Sequence, residues 1–483
     1  MNHHRPSLPP AAPRLGLWDA VSLIVGIVVG TAIFKSPMMV FQNTGGPWQA
    51  LGAWLLGGGL ALCGALCYAE LATAYPRDGG EYEYLGRAYG RWLGFLFGWT
   101  HLTVIYSAAI GTIAYAFADY AAAIWPTLAA HVAWCAAAAV VALTALNALG
   151  GRVGTTMQNI LSVAKVLGLL TIAAAGLLAS SATTNLPPTN AADATSTAST
   201  VPSFGLALVF VLYAYGGWND SAFVAAEVRD QHRNLPRALL IGTLIVAALY
   251  MAVNASYLSV LGFDAARQAS TPAADVLAIA IGPHGRNAIS LLVMISALGA
   301  INGMVFTGSR VYATLGEDYR AVGWLARWNR HKGVPFAAML VQCVATVLLI
   351  LAIGTPTGQQ LVDRALTSIG APPLPWDEYF GGFETLLAGS APIFWSFFLL
   401  TGVAVFVFRV REPHIERPFR IPWYPLPPLV FCATSVYMAY SSIVYARWLV
   451  LLGVVPLAIG AAMLLVVRRN DDKKNSPGRH ARG

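Results

Sequence analysis

Two stretches place glycine and small polar residues in the middle of long apolar runs. They are Gly30-Thr31-Ala32-Ile33 and Tyr213-Ala214-Tyr215-Gly216-Gly217-Trp218-Asn219-Asp220. A lysine, Lys165, lies inside a third such run. A helix interrupted there exposes free N–H groups at the start of its second half and free C=O groups at the end of its first. Those groups can grip a carboxylate and an ammonium, the two ends common to every α-amino acid. Bond-breaking chemistry finds no support. The sequence has no nucleophile–base grouping, no Gly-x-x-x-x-Gly-Lys-Ser/Thr phosphate loop, no His/Cys metal set and no cofactor motif.

The elements that must carry these residues are membrane helices. Of 483 residues, 57% are apolar and 11% charged, with a mean hydropathy of +0.60; a soluble chain has about a quarter of its residues charged. The apolar residues fall in runs of roughly 20, enough to cross about 30 Å of hydrocarbon as helix. The expected fold is therefore an all-α polytopic membrane protein of about twelve spans. Spans one to four are expected near 15–40, 48–75, 92–120 and 127–149, and spans five to eight near 157–180, 203–226, 236–262 and 287–313. Spans nine to twelve follow near 335–353, 383–408, 424–444 and 446–467. Spans one and six occupy corresponding positions in two runs of five, 15–180 and 203–408, as in an inverted-repeat transporter. Residues 1–14 and 468–483 are tails.

The net charge of +8 is topogenic rather than a nucleic-acid footprint. Of 30 Lys and Arg, 24 fall in the tails and alternate connections, and four (Arg267, Arg286, Arg364, Arg447) in the opposite ones. That bias puts the first set, with both termini, on the cytoplasmic side of a plasma (inner) membrane. Residues 181–202 read as a flexible outer loop, and 354–382 as a longer outer connection with room for a short helix. Residues 76–91 are too polar to span and suit a cytoplasmic interfacial helix. The polar start, Met1 to Arg5, indicates no cleavable signal peptide. All five cysteines lie in apolar runs, none in an outer loop where it would take a disulfide from an accessory subunit.

Each candidate has a plainer reading. Gly26-x-x-x-Gly30 is also a helix-packing pattern, so packing and unwinding stand level for span one. In span six, Gly216-Gly217 beside Trp218, Asn219 and Asp220 favours unwinding. Trp218 and Asn219 either line a side-chain pocket or brace the unwound segment. A charge at the depth of Lys165 costs about 3 kcal/mol on insertion scales. The residue lies about two turns inside span five, too deep to snorkel, so it should face the interior and meet acceptors. Lys35 lies past the break, towards outer water, and takes no coupling role. Glu70 and Glu227 suit inner-gate salt bridges with the Arg-rich loops better than proton carriage. His101 and Tyr106 read as packing or network residues. No acidic residue is expected in the pocket near the bilayer centre, which favours neutral over cationic amino acids.

At these motifs the chain resembles the amino acid–polyamine–organocation superfamily, in its L-type amino acid transporter and bacterial exchanger branch. Gly30-Thr-Ala-Ile-Phe34 is similar to the family's Gly-Ser/Thr-Gly-Ile-Phe, with Ala32 in place of its last glycine. Tyr68-Ala-Glu70-Leu with Pro76-Arg-x-Gly79-Gly80-Glu81-Tyr82 resembles the link between the second and third helices. Ala214-Tyr-Gly-Gly-Trp218-Asn219 followed by Arg233-Asn-Leu-Pro-Arg237-Ala is the most specific match. Ser296-x-x-Gly299-x-x-Asn302-Gly303 and Arg417-Pro-Phe-Arg-Ile-Pro-Trp-Tyr-Pro425 complete it. The resemblance implies a five-plus-five inverted repeat with two further helices. It also implies a substrate carboxylate near Gly30, Thr31, Ala32 and Ile33, an amino group facing the carbonyls before Gly216, and Tyr213 as an aromatic gate. By the same resemblance, Lys165 fills the place where sodium-coupled relatives hold an ion, bridging the broken first helix and an eighth-helix hydroxyl, here Ser296. The implied function is sodium-independent transport of neutral L-amino acids by exchange. The rivals are proton-coupled uptake of cationic amino acids or amines, and a non-transporting amino acid sensor.

Overall fold

The computed structural model describes residues 15–179 and 204–475, apart from 270, 330, 369, 375 and 377–380. The expected tail 1–14, the outer loop 181–202 and residues 476–483 of the second tail lie outside the described residues.

Among the described residues the chain is helical, and its only extended pairings are the isolated bridges Leu15–Val228 and Asn329–Val334. Among the described residues nine helical stretches are long and apolar enough to cross a membrane, or ten if the bent pair Leu17–Val28 and Ala32–Gln42 forms one span. One stretch, Leu426–Leu465, holds parts of two helices, Leu426–Ala446 and Val450–Asn475, separated by the turn Arg447–Leu449. Counting both, and adding the broken pair Phe204–Ala214 and Trp218–Glu227, gives the twelve spans expected. Spans two, five and seven are Pro47–Ala74, Gly151–Ala179 and Gln231–Gln268. Spans eight to ten are Gly285–Asp318, Phe336–Gly354 and Gly381–Arg411. Span three runs from Arg91 to Ile124 through a π-helical turn at His101–Ile105, and span four is Val132–Ala148. The connection 354–382 carries the helix Pro356–Ser368, where the Asp363 carboxylate accepts from Leu374 N at 3.0 Å and Trp376 Nε1 at 2.9 Å. A helix at Pro272–Ile281 was not expected.

Two departures matter for the site. The interfacial helix forms at Glu81–Tyr89, but its first turn faces inward, with Glu81, Tyr82 and Tyr84 buried. It therefore belongs to the protein interior as much as to the membrane surface. Span one is bent by 51° where its helix stops at Val28 and restarts at Ala32. The first half of span one packs against spans five, seven and eight and the second half of span six, so both breaks lie inside the bundle.

Candidate functional site

The break in span one begins with a tight turn in which Gly30 N donates to Val28 O at 2.7 Å. The next helix has no preceding turn to supply acceptors. As a result the main-chain N–H groups of Thr31, Ala32 and Ile33 have no hydrogen-bond acceptor among the described residues, although Thr31 is 2% exposed and Ile33 0%. A buried amide left this way is costly. Three successive N–H groups at a helix start form an anion-binding cradle.

The two glycines of the Gly26-x-x-x-Gly30 pattern divide the two roles. A Cβ on Gly26 would run into Gln158 and Ser162 of span five, so that residue is needed for close packing. A Cβ on Gly30 would meet nothing nearer than Ile27 O at 3.6 Å.

Span six stops at Ala214 and resumes as a 3-10 helix at Trp218. Gly217 makes the turn with φ +104°, and a Cβ there would lie 2.8 Å from Ile27 Cγ2. Gly217→Ala should therefore cost about 1–2 kcal/mol in backbone strain and in addition push the two breaks apart. Its expected result is a lower thermal midpoint in detergent and at least a tenfold loss of transport; an unaltered midpoint and rate would contradict the left-handed turn.

Lys165 ties span one to span eight. Its ammonium is fully buried and donates to Gly26 O at 2.6 Å, Val29 O at 2.8 Å and Ser296 O at 2.9 Å. All three of its protons are thus used. The expected bridge to a span-eight hydroxyl is corrected: Lys165 reaches the Ser296 carbonyl, and the Ser296 hydroxyl donates instead to Val29 O at 2.8 Å or Gly30 O at 3.1 Å.

Tyr250 of span seven was not singled out by the sequence. Its hydroxyl lies 2.9 Å from Val28 O and 3.0 Å from Ala214 O, the chain ends of the first halves of both broken spans. With one proton it serves one of the two carbonyls at a time. A tyrosine in an apolar helix carries no local mark of such a contact.

Tyr213 is half-buried against the core. Trp218 packs edge-on to Tyr68 at 5.0 Å and near Phe398 and Phe431, so it braces the segment. Asn219 turns to a small cavity and donates to Glu81 Oε1 at 2.8 Å. Glu81 and Asp220 both line the same cavity, which takes in Asn219 alone of the expected site residues. Tyr106 donates to Asp220 and lies 2.8 Å from Thr307 Oγ1, while His101 Nδ1 lies 3.0 Å from the Tyr312 hydroxyl. Burial pushes the Glu81 carboxyl up to about 7, against the hydrogen bonds from Tyr68 and Asn219. Sequence reasoning missed Glu81 because it placed 76–91 at the surface.

At the arginine-rich end the carboxylates are paired. Glu227 meets Arg310 at 2.8 Å, and Glu70 meets Arg409 at 2.6 Å and Arg417 at 3.4 Å. Leu15 N donates to Glu227 O at 3.0 Å, closing the chain over the foot of span six. At the other end, the Lys35 ammonium lies 4.3 Å from the centre of the Phe383 ring. A larger cleft of about 700 Å³, lined by Asp119, His131, Trp376 and Phe383 among others, takes no residue from either break.

The solved structure of Mhp1, a nucleobase-cation-symport-1 family transporter, superposes with a TM-score of 0.55 over 92% of this chain and 96% of that one. At 14% identity it shows the fold alone. The human Asc-type amino acid transporter 1 is 32% identical over 445 residues, covering 89% of this chain and 78% of its own. The human b(0,+)-type amino acid transporter 1 is 29% identical, covering 89% and 82%. The serine/threonine exchanger SteT of Bacillus subtilis (strain 168) is 27% identical, covering 89% and 91%. A family model described as amino acid permease matches residues 15–468. The chain belongs to the amino acid permease family and is a multi-pass membrane transporter of amino acids, not an enzyme.

Proposed function

We propose that this permease exchanges neutral L-amino acids, one for another and without sodium, by alternating access around the two breaks. The observation that carries the reading is the row of unengaged N–H groups at Thr31, Ala32 and Ile33, beside the interrupted chain at Gly216-Gly217. In this reading the N–H groups receive the substrate carboxylate, and the carbonyls before Gly216 receive its ammonium. The site residues are Gly30, Thr31, Ala32, Ile33, Tyr213, Ala214, Gly216, Gly217 and Asn219, with Trp218 as a brace. Lys165 donates to the carbonyls of Gly26, Val29 and Ser296. A sodium ion is redundant where those oxygens are already engaged. Among the relatives, the serine/threonine exchanger supports small neutral substrates and exchange. The excess of Lys and Arg orients the paired arginine end, with both termini, towards the cytoplasm.

The test is counterflow of labelled L-serine into liposomes holding the purified protein, with choline replacing sodium. The expected result is uptake that requires internal L-serine and is equal in the two salts. Uptake that needs sodium, or that proceeds equally without internal substrate, overturns it. Uptake driven by acid outside supports the proton-coupled reading instead.

A further inference from the structure

The link between spans two and three is built into the foot of span six. Gly79 N donates to Phe223 O at 3.0 Å, and the Asp78 carboxylate accepts from Ala226 N at 2.8 Å. The two bonds straddle Val224, whose φ of −114° and ψ of 24° depart from helix. Gly79 and Gly80 take φ of +108° and +50°, and a Cβ on Gly80 would lie 2.6 Å from Phe223 Cδ1. The link therefore presses onto span six at a kink, where the chain's own hydrogen-bond ladder is already interrupted. From span eight, the Thr314 hydroxyl donates to Asp78 O at 3.2 Å or to Arg310 O at 3.0 Å.

The same foot closes over the start of span one. Leu15 N donates to Glu227 O at 3.0 Å, and Arg229 N donates to Leu15 O at 2.9 Å. Parting spans one and six at this end means moving residues 226–229, and Asp78 holds the first amide of that stretch.

The charges around Asp78 are unequal. Glu227 of span six and Glu317 of span eight disfavour its ionised form, and Arg310 of span eight favours it. Arg310 Nε already donates to Glu227 Oε1 at 2.8 Å. Arg77, the neighbour in sequence, is held by Glu83 at 2.9 Å, Asp318 at 2.8 Å and Glu317 at 3.5 Å. Two carboxylates thus lean on one buried guanidinium. A protonated Asp78 keeps a carbonyl oxygen for Ala226 N and removes one of the two like charges.

We propose that Asp78 is a proton-operated latch: with its proton bound it holds the foot of span six closed on span one, and when ionised it lets the foot part. Burial pushes the half-buried Asp78 carboxyl up to about 7, the Glu227 charge adds to the rise, and the Ala226 N–H and Arg310 oppose it. In the parted form the carboxyl meets water and returns towards its ordinary value of 3.8. Closure is then favoured in full below that ordinary value, and the advantage is lost as pH rises through about 7. By the orientation proposed above this end meets the cytoplasm, so an acid cytoplasm shuts the carrier and a neutral one frees it.

The test is amide hydrogen exchange, read by mass spectrometry on a peptide spanning Ala222 to Arg229. The full chain is held in lipid nanodiscs, which bathe both ends in one buffer, at about pH 5.5, 6.5 and 7.5. Rates are divided by those of a free peptide of the same sequence, which removes the direct effect of pH on the exchange chemistry. Wild-type protection should fall about tenfold from the acid to the alkaline end. Asp78→Asn, which keeps the acceptor and never ionises, should stay protected throughout. Asp78→Ala, which has no acceptor, should be open throughout. A flat wild-type profile, or an Asp78→Asn profile that falls with it, overturns the latch. An Asp78→Ala protein as protected as wild type at the acid end overturns it too, because the bond to Ala226 then holds nothing. The readout needs no transport, so it stands or falls apart from the exchange reading.

Discussion

Lys165→Ala slows counterflow roughly a hundredfold while the protein still folds and inserts. The ammonium makes three charge-assisted bonds, each worth about 1.5–3 kcal/mol, to carbonyls that have few other donors. Gly26 O loses its side-chain donor, and Val29 O keeps only the Ser296 hydroxyl. Span one is then no longer held to spans five and eight at its break. Loss of about 3 kcal/mol from the states that must interconvert slows exchange roughly a hundredfold. Folding suffers less, because removing a buried charge relieves its own desolvation. Initial counterflow rate and elution from a sizing column in detergent check both halves. A wild-type rate from a monodisperse Lys165→Ala protein contradicts the role. Gly299→Ala is a milder version, since its Cβ would lie 2.9 Å from the Lys165 Nζ.

Glu227→Gln should be the most destabilising single change in the bundle. Arg310 is fully buried, its Nε donates to Glu227 Oε1 at 2.8 Å, and its Nη2 has no hydrogen-bond partner among the described residues. Removing the carboxylate's charge strands a guanidinium inside the protein, at a cost of about 3–5 kcal/mol. The same change loosens the foot of span six, where Leu15 N meets Glu227 O and Arg229 N meets Leu15 O. The expected outcome is a marked fall in the thermal midpoint in detergent. The double change Glu227→Leu with Arg310→Met should recover most of it, because an apolar replacement of a buried pair is nearly neutral. Because the pair is buried, salt between 50 and 500 mM (an on-the-order-of range) should alter the difference little. A single variant as stable as wild type would show that the ion pair carries no energy.

The parts of this account that depend on local chemistry were legible in the sequence. Apolar run length placed all twelve spans, and glycines in mid-run marked both breaks, at Val28 to Ala32 and Ala214 to Trp218. The depth of Lys165 was enough to predict an interior seat with acceptors. Contacts across the bundle were not legible. Glu81 sits in a polar stretch that reads as surface, yet Tyr68 and Asn219 draw it inside. Asp220 was visible beside Asn219, but its seat in the cavity depends on Tyr106 and Thr307, 114 and 201 residues removed from their partners. Tyr250 serves both breaks only because span seven packs against each. The Ser296 role changed from hydroxyl to carbonyl by the facing of one helix turn, a detail finer than any periodicity resolves.

The most direct measurement is a structure of the full chain with L-serine bound in a lipid environment. The account predicts the carboxylate within hydrogen-bond distance of the N–H groups of Thr31, Ala32 and Ile33, and the ammonium at the carbonyls before Gly216. An amino acid seated in the larger cleft by Asp119 and His131, with those three N–H groups still unengaged, would contradict it.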